Sequence, residues 1–124
     1  MVFNEKKIPI IKLRDYLIVS IQVDMHDRMA IQLQMQILEE ISRTRAKGVL
    51  IDISTLEMVD SFIGRVLSGM ASMAAIMDAA VVIVGMQPAV AITLVELGLE
   101  MPGVETALSM ELGMEMLEKR LNKL

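Results

Sequence analysis

The chain reads as an α/β domain with a mixed, mostly parallel sheet, and three observations predict it. Short runs of apolar, β-branched residues alternate with longer stretches whose apolar positions recur every three or four residues. Val49 to Ile53 and Ala80 to Val84 are apolar almost without interruption, Asp52 excepted, as buried strands are. The first two runs, Ile8 to Leu13 and Tyr16 to Val23, are separated only by Arg14-Asp15, which predicts an opening β-hairpin. A hairpin followed by alternating helix and strand implies right-handed crossovers and about four helices.

Each element has a local reason. Pro9 cannot donate to a ladder, which places the first strand at a sheet edge. Asp24 to Asp27 starts a helix, and Ala30, Leu33, Ile37, Leu38 and Ile41 form its buried face. Gly48 resets the chain into the strand Val49 to Ile53. The second helix starts at Ser61, read as its N-cap because a serine Oγ can accept from an orphan amide of the first turn. Its expected buried face is Ile63, Val66, Leu67, Met70, Ala74 and Met77. Asp78-Ala79 turns the chain into Ala80 to Val84. Gly85-Met86-Gln87 then leads to Pro88, a favourable first helical residue, and Gly98 is the expected left-handed C-cap. Val104 to Leu108 predicts a short last strand. Ser109 caps a final helix with Glu111 early and Lys119, Arg120 and Lys123 late, the favourable sense for the helix dipole. With no repeat, linker or low-complexity segment, residues 1–124 read as a single domain.

Composition narrows the function. At 124 residues the chain can bury one core, and with 54% hydrophobic, 2% aromatic and 13 Met residues that core is aliphatic with methionine as filler. A mean hydropathy of +0.54 leaves apolar surface to be covered by copies or partners. Net charge is −4, with no Trp and no Lys/Arg-rich block, which argues against nucleic-acid binding. The absence of cysteine removes disulfides, thiolate zinc and iron–sulfur clusters. Met1 to Lys7 contains no signal-type apolar stretch. Ala79 to Leu97 is broken by Gln87-Pro88 and Glu96, so it fits a strand and helix rather than a membrane span. A cytoplasmic protein is the expectation.

Ser61 is the residue on which a function can rest. A phosphate there would add about −1.5 to −2 charge to a rim already holding Glu57 and Asp60, while the helix dipole tolerates it. The effect would fall on a binding surface rather than on the fold. From Arg65 to Asp78 the second helix carries no charge, and its non-core positions Gly64, Ser68, Gly69, Ser72 and Ala75 are small. Such a helix is either buried on both sides or docks another protein. Glu57, Asp60, Ser61, Gly64, Arg65 and Ser68 are therefore the candidate partner-binding residues.

Other chemistries lack their parts. Asp52 at a strand end invites a receiver-domain reading, but the paired carboxylates, the later Ser/Thr and the strand-end Lys are missing, so Asp52 reads as a loop anchor. A hydrolase would need Ser61 with His26, the only histidine; a lone histidine at a helix start reads as a solvated residue. No nucleophile elbow, phosphate loop, dinucleotide fingerprint or HExxH motif occurs. No catalytic residue, metal or cofactor is expected.

Ile8-Pro9-Ile10, Val19-Ser20-Ile21-Gln22, Asp52-Ile53-Ser54, Asp60-Ser61-Phe62-Ile63, Gly85-Met86-Gln87-Pro88-Ala89-Val90 and Glu96-Leu97-Gly98 together resemble a STAS domain. More narrowly they resemble single-domain stressosome scaffolds of the RsbS type, over nearly the whole chain. The resemblance implies the STAS fold and co-assembly, in a large hollow particle, with sensor proteins carrying a C-terminal STAS domain. It also implies a serine/threonine switch kinase that modifies the serine matching Ser61 and is then released, and a serine phosphatase that resets it. Asp60 matches the adjacent acid, and Ser54 and Thr55 are secondary candidates. The alternative is a free-standing anti-sigma-factor antagonist, also switched at Ser61.

Overall fold

A computed structural model describes residues 8–96 and 104–121. Its elements run β1 Ile10–Leu13, β2 Tyr16–Ser20, α1 Asp27–Thr44, β3 Gly48–Asp52, α2 Ser61–Ile76, β4 Ala80–Val84, α3 Pro88–Glu96, β5 Val104–Ala107 and α4 Met110–Leu121. The strands form one sheet in the order β1-β2-β3-β4-β5. β1 pairs antiparallel with β2, with Ile11 opposite Ile18, and the remaining neighbours are parallel. Pro9 immediately precedes the edge strand β1, as its missing donor requires.

Because each crossover advances by one strand in the same direction, right-handed connections put α1, α2 and α3 on the same side of the sheet. There Leu33 and Ile37 of α1, Ile63 and Leu67 of α2 and Val90 and Leu94 of α3 pack with Val49, Ile51, Val81 and Ile83. The opposite face carries α4, where Leu117 packs with Leu50, Val82 and Val84. β3 and β4 are thus covered on both faces, which explains their unbroken apolar sequence. Among the described residues no charged side chain is buried, and the one buried side chain with a polar group is Tyr16.

α4 can lie this close because of Gly113. A Cβ added there would stand 2.6 Å from Cγ1 of Val84 and 2.7 Å from Cδ2 of Leu50, both buried. Tyr16, on the same side, is buried beside the β1–β2 turn. Burial raises its phenol above 10.0, Glu118 and Asp15 push the same way, and Arg14 opposes them.

Several expectations are corrected. β2 stops at Ser20 rather than Val23, although the Ile21 amide still bonds the Asp52 carbonyl at 3.0 Å. α1 begins at Asp27, and its N-cap is His26, whose Nδ1 accepts from the Met29 amide at 3.3 Å. The lone histidine is exposed, as expected, but it holds a helix end. Met77, expected in the core, is 37% exposed because it is the C-cap of α2 and lies beyond the helical stripe. Leu38 and Val66 are only partly buried. Ser109 does cap α4, its Oγ accepting from the Leu112 amide at 3.2 Å. The C-cap expected at Gly98 lies outside the described residues.

Gly113→Ala should lose stability even though alanine favours helix by about 1 kcal/mol, since overpacking a closed contact costs about 1–3 kcal/mol. A denaturation midpoint at or above the parent's would contradict this seating of α4. The raised Tyr16 value has a defined sign: stability is intact below the unfolded value near pH 10 and is lost as pH rises through the higher folded one. Tyr16→Phe should flatten that alkaline decline in a melting series.

Candidate docking and modification site

The site is built where β3 ends and α2 begins. Asp52 closes β3 and turns its carboxylate back, Oδ1 accepting the Ser54 amide at 2.9 Å, which is the expected loop-anchor role. Two side chains then tie the following loop to neighbours distant in sequence. The Thr55 hydroxyl donates to the Ile21 carbonyl at 2.6 Å, and the Gln87 amide donates to the Ser54 carbonyl at 2.7 Å. Thr55, a secondary candidate for modification, therefore spends its hydroxyl on holding the loop. Leu56 and Val59 are buried pegs, whereas Glu57, Met58 and Asp60 are exposed.

Gly85 makes the Gln87 clamp attainable. Its φ is +75°, and an added Cβ would meet Ser54 Cβ at 2.9 Å and Asp52 Oδ1 at 3.2 Å, so this turn accepts only glycine. Neither the clamp nor the Thr55 bond was anticipated; the sequence signals beside Gln87 were a glycine two residues before it and a helix-starting proline after it.

The N-cap of α2 is Asp60, not Ser61. Asp60 has extended backbone (φ −85°, ψ 178°), and its Oδ1 accepts the Ile63 amide at 2.8 Å. Ser61 is the first helical residue and is half-buried. Its hydroxyl is thus not the group that satisfies the first turn.

From Ser61, the positions Arg65, Ser68 and Ser72 follow at helical spacing and share one face. Arg65 and Ser72 are exposed and Ser68 is half-buried. The Ser72 hydroxyl donates back to the Ser68 carbonyl at 3.3 Å. Gly64, expected on this outward face, is buried instead and leaves the set of surface residues. The flank of the helix toward Val66 and Gly69 is covered by α1, where the Gln34 amide donates to the Val66 carbonyl at 3.1 Å. The smooth helix is covered on one flank and open on the other.

Glu57, Asp60, Ser61 and Arg65 fall at the N-terminal end of α2, and Ser68 lies about two turns along the same face, near the middle of the helix. His26 accepts the Met29 amide on Nδ1 at the start of α1, and among the described residues no hydrogen bond joins it to Ser61. Among the described residues no cluster of His, Cys, Asp or Glu could hold a metal ion, and no helix is long and apolar enough to cross a membrane.

Comparison with known proteins agrees with this architecture. The STAS domain family model matches residues 7–109. RsbS of Moorella thermoacetica, solved as a serine-to-glutamate variant, superposes with a TM-score of 0.83 at 38% identity, covering 95% of this chain and 100% of that one. A structure from the molecular architecture of the stressosome, a signal integration and transduction hub, gives a TM-score of 0.73 at 37% identity, covering 93% of this chain and 100% of that one. The unphosphorylated anti-sigma factor antagonist SpoIIAA shares the fold alone, with a TM-score of 0.73 at 13% identity, covering 90% of this chain and 96% of that one. A search of curated proteins found no match. Among the described residues, five strands in sequential order with three helices on one face and one on the other, together with the family match over most of the chain, establish that this chain belongs to the STAS domain family, in the group that includes RsbS.

Proposed function

We propose that this chain is a non-enzymatic scaffold of a cytoplasmic stress-signalling particle, that it retains a serine/threonine switch kinase, and that phosphorylation of Ser61 releases the kinase. Similarity to RsbS and to a stressosome structure supports the scaffold class. The observation that carries the switch is the placement of Ser61: first residue of α2, half-buried, beside the exposed acids Glu57 and Asp60, and spared from capping. A phosphate on Oγ meets the positive end of the helix dipole and leaves the Asp60 cap bond intact. It adds about −1.5 to −2 charge to the rim, which changes what can dock there. That one relative was solved with glutamate replacing a serine is in keeping with a charge-controlled surface. In this reading the chain assembles with sensor proteins carrying C-terminal STAS domains, and a serine phosphatase restores the hydroxyl.

Incubation with the switch kinase and ATP, followed by mass spectrometry, should place one phosphate on Ser61 and none on Ser61→Ala. Full modification of the alanine variant would refute the site. The two neighbouring substitutions should also separate: Asp60→Ala loses about 1 kcal/mol of stability through the cap, and Ser61→Ala stays within about 0.5 kcal/mol. Light scattering of the chain mixed with a sensor paralogue should show a megadalton species. A small species under all mixtures would favour the free-standing antagonist.

A further inference from the structure

Met58 stands 87% exposed in the loop that leads into α2, among the most exposed of the large apolar side chains described. Its exposure is built in rather than incidental. Leu56, two residues before, and Val59, the next residue, are buried in the core. The loop is tied by the Thr55 bond to Ile21 and the Gln87 bond to Ser54, and the Asp60 cap fixes its far end. With pegs on both sides and clamps at both ends, the Met58 thioether has no inward position. The exposed carboxylates nearest to it along the loop are Glu57, one residue before, and Asp60, two residues after.

An apolar tip inside a polar rim is the arrangement of a binding anchor: a central side chain that enters a pocket while surrounding groups exclude water. Methionine suits such a role because its unbranched, polarisable chain adapts to the pocket. We infer that Met58 is the apolar anchor by which the partner acting on Ser61 docks, and that the partner presents an apolar socket bordered by Lys or Arg. This rests on the reading of Ser61 as the modified residue. The charge sign follows from the exposed acids Glu57 and Asp60, which attract a cationic border; with that border paired to them, a phosphate at Ser61 would be enclosed without a cation of its own, the condition for release.

The test measures initial rates of Ser61 phosphorylation by the purified switch kinase for wild type, Met58→Glu, Met58→Leu and Ile76→Glu. Met58→Glu should raise KM by about tenfold or more with kcat little changed, and Met58→Leu should stay near wild type. Ile76 is equally exposed at 88% but sits at the other end of α2, about 22 Å along the axis, so Ile76→Glu should leave both constants unchanged. Because Met58 is outside the core, thermal midpoints should match the parent's, which separates docking from folding. Wild-type KM in Met58→Glu, or a fall confined to kcat, would overturn the anchor. Failure of the wild-type chain to accept phosphate on Ser61 would instead overturn the reading beneath it.

Discussion

β3 and β4 are enclosed by helices on both faces, and most of what the molecule can do follows from that enclosure. Val49, Ile51, Val81 and Ile83 face α1 to α3, and Leu50, Val82 and Val84 face α4. A polar side chain at any of these positions would be desolvated without a partner, at a cost of about 1–3 kcal/mol or more. Groups able to do chemistry are therefore confined to the strand ends and to outer helix faces. Asp52 marks this boundary: it is the last residue of β3, only partly buried, and its carboxylate is already spent on the loop. The surface at the C-terminal ends of the parallel strands is then the natural place for recognition.

Rigidity and charge divide the labour at that surface. The loop before α2 is held by contacts to β2 and to the turn before α3, so its side chains are presented rather than draped. α2 itself is held by Ile63, Leu67, Met70 and Ala74. Against this background a dianion at the first helical residue gains about 0.3–1 kcal/mol from the dipole and loses about 1 kcal/mol per exposed like charge at 4 Å in water. Counting both Glu57 and Asp60 the balance is unfavourable by a few kcal/mol at most before salt screening, less than the roughly 5–15 kcal/mol that holds a domain folded, so the fold persists. The same dianion enclosed under a docked protein without a cationic partner costs several kcal/mol. Magnitude alone assigns the proposed switch to binding and not to folding.

The regular elements could be read from the chain because their signals are local. β4 has the anticipated bounds, Pro88 opens α3 and Ser109 caps α4 as their chemistry requires. Errors fell where two local signals competed. Asp60 and Ser61 are both good N-caps, and only the extended backbone of Asp60 decides between them. Gly64 and Met77 sit at the margin of the apolar stripe, where a single turn of angle or the end of the helix changes burial. The clamps that stiffen the site join residues 33 and 34 positions apart, and no periodicity reports such a pairing. The same holds for Gln34, whose bond to the Val66 carbonyl covers one flank of a helix that had seemed uniformly smooth.

The one-residue difference between Asp60 and Ser61 has a consequence for how such a surface can be switched at all. If the serine were the cap, its oxygen would be accepting an amide of the first turn, and esterification would perturb the bond that starts the helix. With Asp60 accepting the Ile63 amide, the carboxylate carries the helix start and the adjacent hydroxyl is left without a structural duty in the first turn. Cap substitutions cost about 0.5–2 kcal/mol, enough to matter for a small domain of marginal stability. Placing the acid one residue earlier would keep that cost out of the proposed modification cycle. In the proposed cycle, a carboxylate at the cap and a hydroxyl at the first helical position would let charge be added and removed at the mouth of α2 while β3, β4 and their helices stay as they are.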